Sequence, residues 1–157
     1  MKAILSALGC VLALAAATPA YSQEKAPQMT SAEWLAKIQA DKKGIVAKSM
    51  DLTPAEAKKF WPLYDQFERE LAVPQASYTR AVLDYIAADG TLTDANAKRI
   101  TEQVLAASRD EARLRDKHYR QLLKVLPARK ATRYMQIESK IQAIVRYESA
   151  NAIPLVN

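Results

Sequence analysis

Hydrophobic positions recur at helical spacing along most of the chain, and no run of valine and isoleucine alternates with polar residues as a strand would. Over residues 31–49, Trp34, Leu35, Ile38, Ile45 and Val46 fall on one side of a helix that opens at Thr30 or Ser31. Gly44 weakens that helix by ~1 kcal/mol relative to alanine. A second helix starts at Thr53-Pro54-Ala55-Glu56, the pattern of a capping box with proline where its missing N–H is not needed. Ala57, Phe60, Trp61, Tyr64, Phe67 and Leu71 follow at helical spacing. Pro62 predicts a kink, and Pro74 predicts a bend or stop near Val73, because each removes an i to i−4 hydrogen bond. A third segment over 75–88 then carries Tyr78, Val82, Tyr85 and Ile86, with Asp89-Gly90 as the closing turn.

Thr93 starts a long helix predicted to reach about residue 125. Its middle, 108–118, is charged almost all round, with Glu111–Arg115 and Asp116–Arg120 as i,i+4 pairs in the favourable order. Leu105, Ala112, Tyr119 and Leu126, seven apart, suggest a narrow coiled-coil seam. Pro127 ends this helix, and a last one over 128–150 buries Tyr134, Ile137, Ile141 and Ile144, followed by the apolar tail Ile153-Pro154-Leu155-Val156. The expected fold is all-α: an elongated helical hairpin or bundle of four to five helices.

The beginning of the chain reads differently. Met1-Lys2, an uncharged apolar run over 3–17, the breaker Thr18-Pro19 and small residues at Ala20 and Ser22 are the parts of a cleavable signal peptide. The run is shorter than the ~20 residues that span a bilayer, so a retained anchor is the lesser reading and no stable membrane insertion is expected. Cleavage is expected after Ser22, leaving Gln23 at the new terminus, with Ala20 the close second. The organisation is then signal 1–22, a polar leader 23–29 and one helical domain 30–157, in the periplasm.

Composition narrows the chemistry. Cys10 is the only cysteine and leaves with the signal, so the exported chain has no disulfide, no thiol nucleophile and no thiolate metal site. The net charge of +6 falls to +5 without Lys2. In an exported protein this favours acidic lipid head groups or acidic unfolded clients over nucleic acid, although plain solubility explains it as well. His118 is the sole histidine and lacks the spacing of a metal site, so no metal is expected. No glycine-rich phosphate loop, nucleophile elbow or singled-out carboxylate pair is present, so the chain reads as a non-enzyme without a cofactor.

Two helix starts repeat one pattern: Leu52-Thr53-Pro54-Ala55-Glu56-Ala57-Lys58 and Leu92-Thr93-Asp94-Ala95-Asn96-Ala97-Lys98, with a weaker third copy from Leu126. A leucine packing as a staple and a threonine capping the helix suffice to explain it. The same residues (Leu52, Thr53, Glu56, Leu92, Thr93, Asn96) resemble the Leu-Thr-x-x-Gln signature of the Spy/CpxP-like, or LTXXQ-motif, periplasmic proteins, over roughly residues 48–140. Glu56 and Asn96 stand where that signature has glutamine, and asparagine is too short to reach back as a capping box requires. The resemblance implies a long helical hairpin that forms a cradle-shaped homodimer and holds unfolded envelope proteins without ATP. Some relatives instead regulate an envelope sensor kinase or attend metal stress. Candidate client-binding residues are Lys58, Lys59, Trp61, Arg129 and Arg133. For Trp61 and its aromatic neighbours, packing inside the bundle is the stronger reading, and for the bases a solvated face slightly so.

Overall fold

The computed structural model describes residues 30–88 and 90–155; the signal, its Ser22–Gln23 junction, the leader 23–29, Asp89 and Val156 lie outside them. Four helices make up the described chain: α1 (Ser31–Met50), α2 (Pro54–Ala87), α3 (Asp94–Leu122) and α4 (Ala128–Ala152). Three of the four starts are capped by the threonine the sequence offers. Thr30 and Thr53 form full capping boxes with Glu33 and Glu56, the Thr53 N–H donating to Glu56 Oε2 at 2.8 Å. Thr93 accepts from the Asn96 N–H at 3.3 Å but gains no reciprocal bond, as the short asparagine side chain dictates. Pro127 opens α4 without a side-chain cap.

α2 corrects the expected segmentation. It runs unbroken for 34 residues, about 50 Å at 1.5 Å per residue, with Pro62 and Pro74 inside it. The two segments expected on either side of Pro74 are one helix, which reduces the count to four. Phe60, Tyr64, Phe67, Leu71, Pro74 and Ala81 are all buried along the same helix. Burying each large apolar side chain contributes roughly 1.5–3 kcal/mol, enough together to outweigh the ~3 kcal/mol an interior proline costs.

α1 is the helix that does break. Asp41 leaves helical geometry (φ −155°, ψ 64°), and its carboxylate accepts from the Gly44 N–H at 2.7 Å as an internal cap. A Cβ at position 44 would collide with that carboxylate, which accounts for a glycine that looked only like a weakness.

Cross-links fix an up-down-up-down order. Lys42 and Lys43 of α1 reach Glu68 and Asp65 of α2, Lys117 of α3 reaches Glu70 of α2, and Gln142 and Arg146 of α4 reach Glu111 of α3. α2 packs along α3 and α1 along α4, whereas among the described residues α1 and α2 are bridged by side chains without close backbone approach. The core gathers at the end holding the α1–α2 and α3–α4 connections: Val46, Met50, Phe60, Tyr64, Phe67, Leu71, Leu122, Leu126, Ala131 and Tyr134. Edge-to-face rings knit it, with Phe60 and Tyr134 centroids 5.2 Å apart and Tyr64 and Tyr134 6.2 Å apart.

The α3 seam is also corrected. Leu105 and Ala112 are exposed, and the buried face runs through Ile100, Ala107, Glu111, His118 and Leu122. Two of those five positions are polar, so a pattern scored on apolar residues selects the wrong stripe.

Candidate functional site

Every residue proposed from the sequence for client contact lies at the core end of the bundle. Lys58 and Lys59 are exposed in the first turns of α2, and Arg129 and Arg133 are exposed at the start of α4. Lys130 brings the two helix starts together, donating to Glu56 Oε2 at 2.7 Å and to the Asp51 carbonyl at 2.8 Å. That contact, followed by the Thr53 N–H bond, holds the Glu56 carboxyl below the usual range. Trp61 is half-buried, its ring edge-on to Phe60 at 5.0 Å and to Tyr64 at 5.4 Å, with Lys43 Nζ 5.2 Å over its face. Phe60, Tyr64 and Phe67 are fully enclosed, so the aromatic stripe is core apart from the Trp61 flank.

Charge is distributed very unevenly. Residues 43–65 and 116–140, which build this end, hold eleven Lys and Arg against five Asp and Glu, a surplus of six that equals the net charge of the whole chain. Of these bases, Lys43, Lys117, Arg120 and Lys130 are engaged in ion pairs. Lys48, Lys58, Lys59, Lys124, Arg129 and Arg133 are exposed around the connections, with Leu123 among them 42% exposed. Like charges gathered this closely produce a directed positive field that screening confines to roughly 10 Å at 0.1 M salt.

A second feature was not legible in the sequence. Midway along the bundle, all four helices line a cleft of about 310 Å3. Lys42 Nζ donates to Glu68 at 2.6 Å and to Glu138 at 3.0 Å. Glu111 Oε2 accepts from Gln142 at 2.8 Å and from Arg146 at 2.9 Å, with the Arg115 guanidinium at 3.5 Å. Glu138 and Glu111 are buried, and burial raises the Glu68 carboxyl against the pull of Lys42. The Glu111–Arg115 pair read from its i,i+4 spacing therefore forms inside the bundle. No single-sequence pattern marks this, because its members are spread over all four helices and each looks like an ordinary surface residue.

His118 sits between these two regions, buried, its ring stacked on Phe67 at 4.2 Å and edge-on to Tyr134 at 5.3 Å. Neither ring nitrogen forms a well-aligned hydrogen bond. Burial pushes the imidazole down to about 4; Glu70 and the Gln121 side chain oppose this and Lys42 assists it. Burial likewise raises the Tyr64 and Tyr134 hydroxyls above the ordinary phenol value. Among the described residues no group of three or more His, Cys, Asp or Glu is arranged to hold a metal ion, and no helix is long and apolar enough to cross a membrane.

No protein-family model matches the chain, and neither a curated protein nor a solved structure is significantly similar to it.

Proposed function

We propose that this chain is an exported, non-enzymatic binding protein that holds acidic stretches of unfolded polypeptide at the basic end of its bundle. It would act in the periplasm without ATP, as its resemblance to the Spy/CpxP-like proteins implies. One observation carries the reading: residues 43–65 and 116–140 give one end a surplus of six positive charges, against +5 for the exported chain as a whole, and the five residues singled out from the sequence all lie there. Exposed Leu123 and the Trp61 flank add apolar contact to the positive rim. Charge brings a client in quickly and loosely, and a small apolar contact holds it without specificity.

The test is light scattering from a denatured acidic client in the presence of the purified protein at several-fold excess. The wild type suppresses aggregation, and the effect weakens as salt is raised. The quadruple reversal Lys58→Glu, Lys59→Glu, Arg129→Glu, Arg133→Glu, all at exposed positions, keeps the helical circular-dichroism signal and loses the suppression. Unchanged aggregation with the wild type, or full activity in the reversed variant, overturns the reading.

A further inference from the structure

The break at Asp41 divides α1 into two parts that the rest of the bundle holds very differently. Beyond it, Val46 and Met50 are fully enclosed in the core, and the ion pairs to Glu68, Glu138 and Asp65 all start from Lys42 and Lys43. Before it, over 31–40, Ile38 is the only buried side chain among the described residues, and Leu35 is half-buried. These two lie on the cleft and not in the core. With Gln39 they form part of its α1 wall, and Leu71 and Tyr78 of α2 and Ile141 and Val145 of α4 form the other apolar walls.

The first half of α1 therefore covers a void of about 310 Å3, the volume of roughly ten water molecules. Side chains that border a void forfeit the dispersion contacts a close-packed surface would give them, so this half is held weakly. Support along the chain is interrupted as well. The Asp41 carboxylate caps the Gly44 N–H, so the helix beyond the break carries its own start and keeps it when residues 31–40 are out of place. A helix as short as 31–40 is marginal in water once its packing is lost. Moving segments turn on a few residues at element ends that absorb a change in φ and ψ, and Asp41 to Gly44 stand at such a point.

We propose that residues 31–40 are a lid that lifts at the Asp41–Gly44 break and uncovers an apolar trough, lined by Leu71, Tyr78, Ile141 and Val145, which takes apolar stretches of unfolded polypeptide. In the closed state Leu35 and Ile38 occupy the place of such a stretch, so lid and client compete for one surface. The lid is an autoinhibitory contact, and its opening is local: Phe60, Tyr64 and Tyr134 lie in the core beyond the hinge and stay packed. Its role rests on the client-capture reading and adds to it, the basic rim attracting a client and the trough holding it.

Hydrogen exchange of the full exported protein tests the lid without any client. Amides over 31–40 should exchange at least about tenfold faster than those over 45–50. Ile38→Asp places a carboxylate beneath the lid and detaches it. In that variant exchange over 31–40 accelerates further, trypsin cuts at the exposed Lys37, and an apolar dye such as anilinonaphthalene sulfonate gains fluorescence several-fold, while protection over 45–50 and the helical circular-dichroism signal are retained. The converse variant carries Leu35→Cys and Val145→Cys, joined by a bismaleimide in a chain whose one native cysteine leaves with the signal. Cross-linking should slow exchange over 31–40 and lower dye binding relative to the same protein before cross-linking. Light scattering from a denatured client of near-zero net charge then reads the trough apart from the basic rim: suppression of aggregation increases in Ile38→Asp and decreases in the cross-linked protein. Uniform protection through α1, a detached lid without gain in dye binding, or aggregation suppression that neither variant alters overturns the proposal. Loss of suppression in the rim-reversed variant with these exchange and dye responses intact bears on the basic rim alone.

Discussion

His118 shows what one residue's environment does to its chemistry. An imidazole stacked on Phe67 and enclosed by Tyr134 resists protonation, so its folded-state value of about 4 lies below the ordinary 6.5 of the unfolded chain. Between those values the unfolded state binds the proton and the native state does not, so stability falls as pH drops from 6.5 toward 4. At 1.36 kcal/mol per unit, the loss approaches roughly 2–3 kcal/mol at the acid end of that window. Glu56 and Glu70, whose carboxyls are held low chiefly by Lys130 and Lys117, add to the loss below their ordinary value of 4.5, while the raised Glu68 works against it. Urea midpoints measured from pH 7 to pH 4 should therefore decline for the wild type and flatten between pH 6.5 and 4.5 in His118→Phe, which removes the titrating ring and keeps an aromatic in its place. An unaltered slope in that variant would show that His118 is not the source.

At the scale of the element, helix starts were readable and helix continuity was not. Thr30, Thr53 and Thr93 cap their helices through bonds three residues long, and such local chemistry is fully present in the sequence. Pro74 carries an equally local signal, yet α2 passes through it, because Leu71 before it and Ala81 after it pack on the rest of the bundle. Local propensity yields whenever buried area on both sides of a breaker is large enough. Pro62 is exposed and only its backbone effect is at stake, so Pro62→Ala should raise unfolding stability by about 1–3 kcal/mol as Lys58 regains an amide donor. A thermal scan showing no gain would mean the helix has already relaxed around the proline. The Asp41–Gly44 break in α1 has the opposite character: nothing in the hydrophobic period announces it, and the cap by which Asp41 binds the Gly44 N–H makes the glycine useful.

For the whole molecule, Lys42 is the joint. It ties α1 to Glu68 of α2 and to the buried Glu138 of α4 across the gap where α1 and α2 do not closely approach. Lys42→Ala leaves a carboxylate buried without its cation and should cost about 3–5 kcal/mol, whereas Lys42→Met combined with Glu138→Leu should recover most of that loss. Chemical unfolding of the two variants distinguishes them, and equal loss in both would indicate that packing at Lys42, not charge, holds α1 in place. The same tertiary arrangement sorts the charges, bringing 43–65 and 116–140 to one end although they are far apart in the chain.

Helical class, capped starts and the apolar faces of α2 and α4 follow from the sequence alone, because periodicity and capping act over three or four residues and every participant is a near neighbour. Phe60, Tyr64, Phe67, Tyr134 and Ile141 are recognisable as core on that basis. Burial of Glu111, His118 and Glu138 is a different matter: each is a polar residue on a helix rich in polar residues, and only a counter-charge or ring from another helix makes its enclosure tolerable. Which charges lie inside, where a cleft opens and which end of the molecule is positive are therefore decided by long-range packing, since desolvation depends on what the other three helices place opposite each side chain.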